Sequence, residues 1–476
     1  MTGMLDFILD VYFYWVIIYF IGVNITYSIL LVFSYREIAT YMRRQALGDF
    51  RALLQSELTP SVSLLAPAFN EEATIVESIK SLLKLNYGKY EVVVINDGST
   101  DKTLETMIGE FDLREVRQLY IPTLSARPVR CIYRSSSPEY GNLLIVDKEN
   151  GGKADALNVG INVSSYEFFC AIDADSLLEE DALQRVVKPF LEDERVIATG
   201  GIVRIANGCE IVNGRVVSVG LSRKLLPVFQ VVEYFRAFLS GRMGWQSSNA
   251  LLIISGAFGM FRRRAVVEAG GYNPATVGED MELVARLHRL HLERKIPYRI
   301  VFVPDPVCWT QAPETLNVLS AQRNRWHRGL MDVMKMHGVM LMNRRYGPVG
   351  RWAMPYFFFV ELLGPVFEFF GYASILVLAI RGSLDLQMVI LFFIVSLLYG
   401  VMFSVGAVLL EELSFSRYPN PKHLALLLAM GVLENFGYRQ MTVWWRVRSF
   451  YDYARRKKDW GTMTRTEFAK AKSRID

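Results

Sequence analysis

The sequence predicts an α/β domain built on a mostly parallel sheet, inserted between transmembrane helices and bordered by amphipathic interfacial helices. Three observations lead there. Of the 476 residues, 51% are hydrophobic, too oily a composition for one soluble domain of that length. Long apolar runs lie near the N-terminus and in the last third of the chain. Between them, about 300 residues alternate short apolar runs with helix-compatible stretches, a length within reach of one large domain.

Residues 11–33 carry no charge and are long enough to cross a bilayer, with no small-residue cleavage site, so the run should stay as an anchor. Arg36, Arg43 and Arg44 follow it, and Arg344, Arg345 and Arg351 precede the later segments. Basic residues favour the cytosolic side, which puts the intervening block in the cytosol and the N-terminus outside. Residues 386–410 are equally clean, whereas 354–380 contain Glu361 and Glu368, and 423–445 contain Glu434 and Arg439. Ionisable groups inside a membrane are costly, so these four are expected to line a polar path between the spans. If all four segments crossed, the tail would emerge outside, against the basic run Arg446, Arg448, Arg455, Arg456, Lys457 and Lys458. One segment should therefore fail to cross, and 354–380, interrupted by Glu361, Pro365 and Glu368, is the expected one.

The expected organisation is an anchor and linker at 1–58, a cytosolic domain at 59–312, interfacial helices at 313–352, further membrane segments at 353–446 and a cytosolic tail at 447–476. A formal net charge of +5 is small for this length and gathers near the spans. That pattern fits lipid headgroups and argues against nucleic acid as a partner. Cys131, Cys170, Cys209 and Cys308 are scattered without metal-ligand spacing and read as free thiols of a reducing compartment.

Within the central block, "SVSLLAPAFNEE" and "YEVVVINDGSTD" are apolar runs ending in turns, and "NLLIVDKENGGKADALN", "YEFFCAIDADSLLEEDAL" and "RVIATGGIV" repeat the alternation. Strands and helices at this spacing imply a sheet covered on both faces, with any ligand off the carboxyl ends of the strands. Asn70 and Glu71, Asp97, Lys153 and Asp155, and Asp173 and Asp175 all follow such runs. Asp97 is equally readable as a turn cap, and Lys153 and Asp155 as surface charges. Asp173 and Asp175 are harder to read as structural, because burying such a pair requires a cation. Hard carboxylate oxygens suit Mg²⁺ or Mn²⁺, which complete their shells with water and phosphate oxygens. In "GGYNPATVGEDMELVARLHR", Glu279 and Asp280 open an amphipathic helix, as helix-terminal acids or as a general base.

In order, "FNEE", "NDGSTD", "GGKADALN", "DAD", "GED" and "QRNRW" resemble the family 2 glycosyltransferases, in particular the membrane-embedded synthases of cellulose, chitin, hyaluronan and poly-N-acetylglucosamine. The resemblance implies a GT-A-type domain that binds a nucleotide sugar, with a UDP-sugar as donor and a growing polysaccharide or a lipid as acceptor. Phe69, Glu71 and Asp97 would hold the uridine, Lys153 and Asp155 the diphosphate, and Asp175 with Asp173 the metal. Asp280 would be the catalytic base, with Glu279 beside it. Gln322 and Trp326 would bind the acceptor, with the Trp326 ring stacked on a sugar, and Arg325 would neutralise phosphate. "DWGTMTR", residues 459–465, resembles a gating loop with Trp460 and Arg465 as its contacts. The product would be a β-linked polysaccharide exported across the membrane, with accessory export proteins as possible partners. The alternatives are a single-transfer enzyme acting on a lipid, or a non-catalytic nucleotide receptor of the same fold.

Overall fold

A computed structural model describes residues 2–47, 59–212, 214–382, 385–418 and 420–456. Trp460 and Arg465 lie outside the described residues. The described chain forms two compact units, one of residues 2–41, 224–248 and 313–456, the other of residues 42–47, 59–223 and 249–312.

The second unit contains a ten-stranded sheet in the order β3-β4-β5-β2-β1-β6-β11-β8-β12-β7. Its strands are β1 (Val62–Ala68), β2 (Tyr90–Asn96), β3 (Leu113–Glu115), β4 (Val129–Ser135), β5 (Leu143–Lys148), β6 (Phe168–Ile172), β7 (Leu177–Leu178), β8 (Val196–Ile205), β11 (Phe258–Arg262) and β12 (Arg299–Thr310). Two further short strands, β9 (Glu210–Val212) and β10 (Arg215–Ser218), pair with each other. β1, β2, β5 and β6 are Val-, Ile-, Leu- and Phe-rich and almost wholly buried, the signature of strands covered on both faces. The helix Lys153–Val163 packs on β1 and β2.

The expectation of a mostly parallel sheet is corrected to a mixed one. β5, β2, β1 and β6 run parallel, and β8 with β12 also runs parallel. β11 lies between β6 and β8 antiparallel to both, and β3, β4 and β7 also pair antiparallel. An apolar run such as "FGMFR" is the same in either direction, so composition alone does not reveal β11's orientation. The four-strand parallel core brings the carboxyl ends of β1, β2, β5 and β6 to one edge, where ligands bind in such sheets.

The first unit contains three helices long and apolar enough to cross a membrane, Val11–Arg44, Val349–Ile380 and Val389–Ser414. The segment 354–380, expected to be the one that fails to cross, lies within Val349–Ile380. Pro365 sits at the first turn of the helix Gly364–Ile380, where its missing N–H costs no hydrogen bond. The segment 423–445 is split between the helices Pro421–Leu433 and Tyr438–Ala454 by a bend at Gly437, whose φ of +90° favours glycine.

Glu361, Glu368, Glu434 and Arg439 are each ion-paired. Arg439 Nε lies 2.8 Å from Glu368 Oε1, Arg446 Nη2 lies 3.2 Å from Glu361 Oε2, and Arg236 is ion-paired with Glu434, which also accepts from Ser404. Glu361, Glu368, Glu434 and Arg439, the four residues expected to line a polar path, meet opposite charges contributed by other segments of the unit. Pairing relieves the desolvation that each would suffer alone among apolar helices.

Candidate active site

At the end of β1 the chain turns through Asn70, which adopts φ +56°, a left-handed conformation that asparagine tolerates. Asn70 is tied on both sides: its backbone N–H donates to Ser99 Oγ at 3.0 Å, and its Oδ1 accepts from the Thr100 N–H at 2.8 Å. The turn points its flanking side chains in opposite senses. Phe69 is 47% exposed, while Glu71 is buried and accepts from Thr74 Oγ1 at 3.2 Å.

Asp97, at the end of β2, is buried and accepts three hydrogen bonds from the β5 edge. Its Oδ1 accepts from Lys148 Nζ at 2.5 Å and from the Gly151 N–H at 3.0 Å, and its Oδ2 from the Gly152 N–H at 2.7 Å. Desolvation pushes the Asp97 carboxyl up, against the opposing pull of Lys148 and the two amides. Lys148, wholly buried at the end of β5, also reaches Asp155 Oδ1 at 2.7 Å. Asp155 accepts from the Arg127 N–H as well, at 3.1 Å to Oδ2. Sequence reasoning missed Lys148. The available signal was its alternation along β5: "LLIVDK" is buried throughout, so a lysine closing that run must find carboxylates.

Lys153 opens the helix Lys153–Val163 and faces a second group of acids. Its ammonium is ion-paired with Asp173, lies 3.7 Å from Glu279 Oε1 and donates to the Gly256 carbonyl at 3.1 Å. The Gly256 N–H donates in turn to Asp280 Oδ2 at 3.0 Å, and the Met281 N–H to Asp280 Oδ1 at 2.8 Å. Asp173, Glu279 and Asp280 therefore gather about one ammonium and one glycine, with Asp175 close enough to interact electrostatically with Asp173 and Lys153. Burial would lower the Lys153 ammonium, but the charges of Asp173 and Glu279 outweigh it and hold the group above its usual value. Asp175 is pushed up to about 7 by desolvation and then by the charge of Asp173. Glu279 is also pushed up to about 7, chiefly by desolvation, with Lys153 opposing and Asp280 adding.

Four carboxylates around one ammonium leave the site short of positive charge. A divalent cation fits that shortage. Among the described residues no three His, Cys, Asp or Glu side chains form a metal cage. Asp173 and Asp175 would offer a cation two carboxylates, the number that Mg²⁺ and Mn²⁺ complete with phosphate oxygens and water.

Gln322, Arg325 and Trp326 lie in the other unit, on the helix Leu316–Met336. At i, i+3 and i+4 they lie on one side of the helix but differ in exposure. Trp326 is 46% exposed, Gln322 is half-buried and Arg325 is buried. Gln322 and Trp326, four residues apart, are braced by Arg323, a residue that sequence reasoning passed over. Its guanidinium lies 4.3 Å from the Trp326 ring centroid, donates to Gln322 Oε1 at 3.3 Å and is ion-paired with Glu233 at 2.7 Å. Glu233 also accepts from the Tyr438 hydroxyl at 3.0 Å. A cation over one face of an indole, worth about 0.5–2 kcal/mol, fixes the ring and leaves its other face open.

Residues 63–113 match the family described as "Glycosyl transferase family 2", and residues 134–329 match "Glycosyltransferase like family 2". The matched residues form a family 2 glycosyltransferase domain. All the site residues from Phe69 to Asp97 and from Lys153 to Trp326 fall within these two stretches. The chain is 31% identical over 274 residues to the poly-beta-1,6-N-acetyl-D-glucosamine synthase of Staphylococcus aureus, covering 57% of this chain and 55% of that protein. It is 29% identical over 274 residues to the synthase of the same name from Staphylococcus epidermidis. The chain thus spans about half the length of the curated relatives it matches. Among solved structures it is similar to a mannosyltransferase of Pyrobaculum calidifontis in complex with GDP-Man and Mn²⁺, with a TM-score of 0.52 and 18% identity over 89% of this chain and 99% of that one. That likeness bears on the fold, a GT-A-like mixed sheet. The chain resembles the membrane-associated, processive glycosyltransferases of family 2.

Proposed function

We propose that this glycosyltransferase moves a sugar from a UDP-sugar onto the end of a β-linked polysaccharide, with inversion at the anomeric carbon, and passes the product across the membrane. The observation that carries this reading is the gathering of Asp173, Glu279 and Asp280 about Lys153, with Asp175 beside Asp173, where the end of β6 meets the start of the helix Glu279–Arg294 and a diphosphate and an acceptor hydroxyl can meet. Asp175 and Asp173 would hold a divalent metal, whose chemistry would be to supply positive charge for the leaving diphosphate. Asp280 takes the acceptor hydroxyl's proton at its carboxylate, one face of which is already oriented by the Gly256 and Met281 amides. Glu279 keeps Lys153 in register, and Lys153 offers its ammonium to phosphate oxygen. One displacement inverts configuration, so an α-linked donor yields a β-linkage.

Asp97 and Asp155, given to nucleotide and diphosphate by the resemblance, have carboxylates already engaged by Lys148 and backbone amides. Their part is to shape the turns around the donor. Phe69, exposed at the β1 edge, is the group able to contact a base. For the membrane, the same reading takes Val11–Arg44, Val349–Ile380 and Val389–Ser414 as the crossings, which would leave the central block and the basic run from Arg446 onward on the cytosolic side. That count removes the topology conflict which four crossings create.

The deciding experiment incubates purified protein in nanodiscs with radiolabelled UDP- and GDP-sugars and separates products by size. A polymer with one UDP-sugar is the expected result; a short glycolipid means single transfer, and no released nucleotide with any donor ends the catalytic reading. Trp326→Ala should distinguish acceptor from donor functions. It removes the open indole face but none of the carboxylates, so UDP affinity in Mn²⁺ should stay within about twofold while polymer synthesis falls at least roughly tenfold. Equal loss of both means the helix itself has been disturbed.

A further inference from the structure

We propose that Lys148 is the positioning residue of the donor site, fastening the three turns that a nucleoside diphosphate must touch. The inference rests on the donor-binding reading above and adds a residue to it. Lys148 is 0% exposed, and its ammonium bridges Asp97 at 2.5 Å and Asp155 at 2.7 Å while also donating to the Glu149 carbonyl. Each partner anchors a different turn. Asp97 begins the β2 turn, whose Ser99 and Thr100 grip Asn70 in the β1 turn. The same carboxylate accepts from the amides of Gly151 and Gly152, which form the turn leading into Lys153. Asp155 closes the arrangement from the first turn of that helix and ties in the Arg127 backbone.

This turn has little room to be held in any other way. Gly152 has φ +86°, and a Cβ on Gly151 would collide with the Asp155 carboxylate. Gly98 has φ +66° and a Cβ there would lie 2.8 Å from the Asn150 amide nitrogen. Two glycines, one on each side, therefore bring the β2 and β5 turns into contact, and the ammonium keeps two buried carboxylates from repelling one another across that contact. Without Lys148, Asp97 and Asp155 face each other unneutralised and the turn opens, moving Lys153 away from Asp173. The consequence falls on donor binding first, because Lys148 itself has no exposed atom to offer a ligand.

The test compares wild type with Lys148→Met, Asp155→Asn and the double variant, measuring UDP affinity in Mn²⁺, donor KM and kcat, and thermal melting. Lys148→Met should weaken UDP binding and raise donor KM roughly tenfold to a hundredfold, with a smaller change in kcat. Asp155→Asn leaves Lys148 with Asp97 and should cost less. In the double variant one of the two opposed charges is gone, so most of the lost affinity should return. A purely structural lysine behaves differently: it lowers the melting temperature in both variants, and the second change brings no recovery of KM. Additive losses, or an unchanged KM in Lys148→Met, overturn the proposal. If Lys148→Met does not fold while the double variant folds and binds UDP, the neutralising role stands; if neither folds, it falls. Wild-type protein that binds neither UDP nor GDP refutes the donor reading itself, and this proposal with it.

Discussion

Asp280→Asn should leave UDP affinity in Mn²⁺ unchanged and lower kcat by roughly 10²- to 10⁴-fold, the usual contribution of a general base. The side chain is isosteric, and its Oδ1 can still accept from one of the two amides, Gly256 and Met281, that now orient the carboxylate. Basicity is lost while shape is kept. The loss should therefore fall on kcat and kcat/KM together, as expected for an interaction made in the transition state. Glu279→Gln is the informative companion. Glu279 is buried and within 3.7 Å of the Lys153 ammonium, so its loss should disturb the lysine and raise donor KM more than it lowers kcat. Near-normal turnover in Asp280→Asn would remove that residue from the mechanism. A kcat effect larger in Glu279→Gln than in Asp280→Asn would exchange their roles.

Much of this site is legible in the sequence because polar residues that follow apolar strand runs are forced to one edge of a parallel sheet. That logic gathers Glu71, Asp97, Lys153, Asp173 and Asp175 from positions spread over more than a hundred residues. It does not reveal which carboxylates are free. Asp97 and Asp155 look like donor contacts as letters, and the Lys148 bridge that occupies them depends on side-chain packing between β2, β5 and the following helix. Strand direction is likewise invisible for β11, whose run of "FGMFR" has no directional mark. In the membrane unit, Glu361 and Glu368 read as interruptions of a span because their partners Arg446 and Arg439 come 85 and 71 residues later. Hydropathy sees the charge and not the pair. Trp326 shows the same limit at short range: its spacing from Gln322 is readable, but the Arg323 guanidinium that holds its ring depends on Glu233, from a separate stretch of chain.

Asp175→Asn should abolish the difference in UDP affinity between Mn²⁺ and a chelator, because a neutral amide is a poor ligand for a hard cation. The metal-free protein supplies an independent check through pH. The Asp175 carboxyl is pushed up from 3.8 to about 7 by desolvation and the neighbouring Asp173 charge. Between those two values the folded protein holds a proton that the unfolded chain has already released, so stability should fall as pH rises across that window. Glu279, also pushed up to about 7, contributes in the same direction. A cation at Asp175 and Asp173 favours the charged carboxylates, so Mn²⁺ should recover stability most at pH 8 and least at pH 5, and its binding should release protons near neutrality. Thermal melts at the two pH values, with and without Mn²⁺, measure this directly. In Asp175→Asn the pH slope should shrink to the share owed to Glu279, and the Mn²⁺ response should vanish. If the variant keeps wild-type UDP affinity in Mn²⁺, or if Mn²⁺ stabilises it as much as wild type, the metal is not held by Asp175 and the cation must be sought elsewhere in the acidic cluster.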